Sequence, residues 1–79
     1  MLEKTIMLEN FDSVKKFVDF ANTKEYDIEL LSGKYVVNAK SIMGVFSLDL
    51  TKPLVMVAHT ENTIELAKQT EPFAYEVKK

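Results

Sequence analysis

The chain has 79 residues, which leaves room for one domain and sits near the lower limit at which an unaided hydrophobic core outweighs chain entropy. It is 47% hydrophobic and 28% charged, with two Gly, two Pro and no Cys, which excludes a disordered tail, a disulfide framework and a thiolate zinc site and points to a reducing cytoplasmic setting. Its ten basic and twelve acidic residues, net −2, are interspersed: there is no basic stripe for nucleic acid, no apolar run near the roughly 20 residues of a membrane span, and an acidic start unlike a signal peptide.

The first element is a short strand within residues 4–9, KTIMLE, where Ile6 and Leu8 share a face around Met7, at a sheet edge. From Asp12 or Ser13 the period changes. Val14, Phe17, Val18 and Ala21 recur at helical spacing with Lys15, Lys16 and Asp19 opposite, an amphipathic helix. After Asn22–Glu25, Tyr26, Ile28 and Leu30 alternate with Asp27 and Glu29 as in a strand with one wet face. Ser32-Gly33 offers a tight turn, since Gly supplies the positive φ of primed hairpin turns, and KYVVNA completes a hairpin over residues 26–39.

Residues 41–48, SIMGVFSL, predict a short helix weakened by Gly44 and opened by Ser41, a residue type suited to the N-cap. After Thr51-Lys52-Pro53, LVMVAH is apolar on both faces and therefore central in its sheet. Thr60–Thr63 supplies capping residues for a helix to about Gln69, with Glu61 and Glu65 near its positive end. Pro72 stops that helix near Glu71, and Phe73, Tyr75 and Val77 alternate as an extended tail. The order is βαββαβ followed by a helix and a tail, with no repeat or linker.

The segment VNAKSIMGVFSLDL, residues 37–50, with Gly33 in the preceding hairpin, resembles the conserved segment around the regulatory serine of HPr proteins, the small phosphocarriers of bacterial sugar phosphotransferase systems. The order of elements extends the resemblance over nearly the whole chain. It implies an α+β, HPr-like βαββαβα fold over residues 1–79, a four-stranded antiparallel sheet with helices packed on one face. HPr carriers place a histidine, followed shortly by an arginine, between the first strand and the first helix. Here that stretch reads Leu8-Glu9-Asn10-Phe11-Asp12-Ser13-Val14, with neither His nor Arg and with two carboxylates that repel phosphate. A related class lacks the histidine, keeps the serine, and acts as a regulatory protein phosphorylated by a kinase and read by a transcription factor. This chain is similar to that class. The resemblance implies a non-enzymatic regulatory or interaction protein, with Ser41 as phosphate acceptor and Lys40, Ile42, Met43, Val45 and Phe46 as the surface presented to a kinase, transcriptional regulator or phosphotransferase component. Phe46 stands where the family usually has Met.

Each of these residues also has a plainer reading. Ser41 can be a helix cap alone, Lys40 a solvated charge, and Ile42, Met43, Val45 and Phe46 core packing. His59, the only histidine, ends the strand LVMVAH on the face of Val55 and Val57. It is either a structural or solvent-facing residue or, in a working phosphotransferase component, an alternative phosphate acceptor. One His without a second ligand makes no metal site, two glycines build no phosphate loop, and Asp27 and Glu29 lie on a wet strand face. No metal or cofactor is expected, and the oligomeric state expected is a monomer or weak homodimer. A third reading is an unmodified adaptor that binds through residues 42–46 or the open face of the sheet.

Overall fold

The computed structural model describes residues 1–75. The elements run β1 (Leu2–Ile6), α1 (Phe11–Asn22), β2 (Ile28–Ser32), β3 (Tyr35–Asn38), α2 (Ile42–Phe46), β4 (Leu54–Ala58) and α3 (Thr63–Gln69), then a 3-10 turn at Glu71–Phe73. The strands form one antiparallel sheet in the order β1-β4-β2-β3, with the helices on one face. This is the α+β arrangement expected from the sequence.

The apolar character of β4 on both faces follows from its place between β1 and β2. Leu54, Met56 and Ala58 face the helices and are fully buried, while Val57 is buried on the opposite face. Met56 lies across from Lys4 on β1 and from Leu30 on β2. Against this row α1 lays Val14, Phe17, Val18 and Ala21, the stripe read from the sequence, all buried. Val14, Phe17 and Val18 each contribute about 1.5–3 kcal/mol on removal from water. Gly33 opens a two-residue hairpin turn with φ +59, and Ser32 pairs with Tyr35 on either side of it. With no positive φ at Lys34, this is the φ pattern of a type II′ turn, which needs Gly first.

Two boundaries differ from the sequence reading. The first strand starts at Leu2 and stops at Ile6, because the Met7 N–H turns away to the Phe73 carbonyl at 2.9 Å. Leu8 stays buried, but as part of the crossing to α1. At the other end, Phe73 belongs to the 3-10 turn and packs edge-on against Phe17, ring centroids 5.3 Å apart. Ala74 then pairs with Ile6, and the Tyr75 N–H donates to the Thr5 carbonyl at 3.1 Å, so Ala74 and Tyr75 lie along the outer edge of β1. Val77 lies outside the described residues. Lys4 points to the helix side of β1, where its ammonium donates to the Ala67 carbonyl at 2.9 Å and the Thr70 hydroxyl at 3.2 Å. It thereby joins the Thr70 hydroxyl in donating to the Ala67 carbonyl, one of the last-turn carbonyls of α3. Among the described residues no helix is long and apolar enough to cross a membrane.

Candidate phosphorylation and partner site

Helices α1 and α2 both begin on a side-chain cap with the same hydrogen-bond pattern. Asn10 has extended backbone, and its Oδ1 accepts the Ser13 N–H at 2.8 Å, three residues on. Ser41 repeats this at α2, its Oγ accepting the Gly44 N–H at 3.2 Å. In each case the cap oxygen occupies an amide that the helix cannot satisfy internally. Phe11, the first residue of α1, is 63% exposed and stacks on Phe46 of α2, with centroids 5.2 Å apart and planes 28° from parallel. Glu9 and Asp12 are exposed on either side of the Asn10-Phe11 pair.

The two helices run in opposite directions. Phe11 at the start of α1 meets Phe46 at the end of α2, and Asn22 at the end of α1 donates to the Lys40 carbonyl, just before α2, at 3.0 Å. Ser41 is exposed beside Ile42 and Met43, and Met43 is 79% exposed. An apolar stripe of Ile42, Met43, Phe46 and Phe11 therefore runs from Ser41 to the start of α1. At 1.5 Å per residue, the α2 part spans roughly 7 Å.

The reading of Val45 as a partner contact is corrected by its burial. Val45 is 0% exposed and belongs to the core. On a five-residue helix lying against the sheet, the residue midway between Ile42 and Phe46 is the one that points inward. Lys40 is not a freely solvated charge. Its ammonium donates to the Lys24 carbonyl at 2.8 Å and ties α2 to the loop after α1. Sequence reasoning missed Phe11, whose signal was an aromatic next to an N-cap residue and off the buried stripe of α1.

His59 lies apart from this group. Its N–H donates to the Asp27 carbonyl at 2.9 Å at the end of the sheet, and its ring Nε2 is 2.7 Å from Glu29 Oε1 on the face away from the helices. Asp27 is exposed and Glu29 half-buried there. Among the described residues no three His, Asp or Glu side chains are gathered as a metal site would require.

No protein-family model matches the chain, and no curated protein matches it in sequence. Among solved structures, HPr-C-His from Thermoanaerobacter tengcongensis superposes with TM-score 0.72 at 29% identity, covering 86% of this chain and 84% of that one. Phosphocarrier protein HPr from Bacillus anthracis str. Ames superposes with TM-score 0.71 at 22% identity, covering 94% and 96%. The fold is that of HPr. On the HPr frame, the start of α1 is the place that the sequence resemblance assigns to the carrier histidine. In this chain it holds a cap, an aromatic ring and two carboxylates.

Proposed function

We propose that this chain is an HPr-like regulatory or interaction protein related to the sugar phosphotransferase system, not competent as a histidine phosphocarrier, and neither an enzyme nor a metalloprotein. The observation that carries the reading is the start of α1. A phosphocarrier needs there an imidazole and open backbone amides to receive the phosphoryl group. Asn10 offers no imidazole and fills the Ser13 amide with its own Oδ1, and Glu9 and Asp12 add like charge. Protein partners dock on the exposed stripe of Phe11, Ile42, Met43 and Phe46, whose aromatic and Met content suits an adaptable interface core.

Ser41 is the regulatory acceptor in this proposal. Its hydroxyl is exposed, and a phosphate added there introduces about −2 charges beside Ile42 and Met43. An HPr kinase-like enzyme would place it, and a transcriptional regulator or phosphotransferase component would read it, in the cytoplasm. The test is a paired incubation, with phosphoenolpyruvate plus the upstream phosphotransferase enzyme, and with ATP plus an HPr kinase. The expected result is no acid-labile phosphate from the first and an acid-stable phosphate on Ser41 from the second. An acid-labile phosphate mapped to His59 would overturn the proposal in favour of phosphotransfer from the open sheet face.

A further inference from the structure

The loop that follows α2 takes no part in that reading. There the β2–β3 turn and the loop from α2 to β4 enclose a cleft of about 590 Å3, a volume within the range of small-molecule sites. Its lining includes Lys34, Tyr35, Ser47, Leu48, Asp49 and Lys52. The two lysines come from different loops, and among the described residues neither is within ion-pair distance of a carboxylate. Neither ammonium group is tied up in a direct ion pair, although the Lys52 charge helps to lower the Asp49 carboxyl. Asp49 sets a second condition. Its Oδ1 accepts both the Thr51 hydroxyl and the Thr51 N–H, at 2.5 and 3.1 Å, and among the described residues Oδ2 has no donor. These hydrogen bonds hold the Asp49 carboxyl below the usual carboxylate range, so it is an obligate acceptor. A bare phosphate would meet this charge unfavourably, whereas a ligand that also carries hydroxyl groups would use it. Tyr35 adds a ring 72% exposed and, among the described residues, stacked on no other ring, a flat wall suited to the C–H face of a saturated ring, and Leu48 supplies apolar floor.

We infer that this cleft binds a phosphorylated polyol of the sugar-phosphate class, with phosphate between Lys34 and Lys52 and hydroxyls on Asp49. The lysines act as point charges on the phosphate. The site is independent of whether Ser41 is ever phosphorylated.

The test is an amide NMR titration of the full chain with glucose 6-phosphate, glucose and inorganic phosphate in parallel. Glucose 6-phosphate is expected to give saturable shifts confined to the amides of residues 32–35 and 47–52, with glucose and phosphate each binding at least about tenfold more weakly. The Lys34→Gln/Lys52→Gln pair should weaken glucose 6-phosphate by about tenfold or more. Tyr35→Ala should weaken glucose 6-phosphate and leave phosphate unchanged. All three side chains are exposed, so the variants are expected to melt like the parent. Non-saturating shifts spread over Lys15, Lys16 and Lys68 as well, phosphate binding as tightly as glucose 6-phosphate, or full retention of binding in the double lysine variant would each overturn the inference.

Discussion

Ser41→Ala removes a cap and an acceptor together, so the informative perturbation is Ser41→Asn read beside it. The structure supplies its own precedent, because Asn10 already caps α1 with the bond that Asn would make at position 41, side-chain oxygen to the amide three residues on. Loss of a Ser cap costs about 1 kcal/mol, and replacement by Asn costs close to nothing. For a domain of this size about 1 kcal/mol moves the Tm by roughly 4–8 °C. Ser41→Ala is therefore expected to melt roughly 4–8 °C below the parent and Ser41→Asn within about 1–2 °C of it. Thermal melts by circular dichroism read the cap, and intact mass after incubation with ATP and an HPr kinase reads the acceptor. Ser41→Asn should keep the melt while losing both the mass gain and kinase-dependent partner binding. If parent and Ser41→Asn show the same mass and bind the same partners equally well, Ser41 is a cap and nothing more, and the docking stripe works unmodified.

Val45 and Met43 should separate packing from docking on one helix. Val45→Ala removes two buried methyl groups and is expected to cost about 2 kcal/mol in denaturant unfolding, whereas Met43→Ser, at a site 79% exposed, should leave stability unchanged and weaken partner binding. Burial, and then the Glu65 carboxylate, raise the Tyr26 phenol above its ordinary value. The folded state thus holds this proton more tightly than the unfolded chain, so stability is intact below about pH 10 and declines as pH rises from there through the folded value. Melts of parent and Tyr26→Phe across the alkaline range should show a shallower decline in the variant.

Much of the fold is written in two periodicities. The spacing of Val14, Phe17, Val18 and Ala21 and the alternation of Ile28 and Leu30 place α1 and β2 on the core with little ambiguity, because each has a single wet face. The doubly apolar LVMVAH is central for the same reason. α2 defeats the same method. On five residues the helical stripe of Ile42, Val45 and Phe46 is too short to say which member faces in, and only packing against the sheet turns Val45 to the core and leaves its neighbours outside. The contact between Phe11 and Phe46 joins residues of two antiparallel helices, and the tie from Lys40 to Lys24 joins two loops. Neither pairing has a local signal.

The pairing of Ala74 with Ile6 bears on the order in which the chain folds. The β2–β3 hairpin closes over a two-residue turn, and β4 can add to β2 once α2 has formed. β1 must wait for β4, its strand partner among the described residues, and the bridge to Ala74 spans nearly the full length of the chain. Loop-closure entropy must be met before such distant contacts return any stability. The outer edge of β1 is thus expected to be the last part of the sheet to be sealed. Substitutions in the Glu71–Phe73 turn should accordingly raise the unfolding rate while leaving the folding rate nearly untouched, the kinetic mark of contacts absent from the transition state.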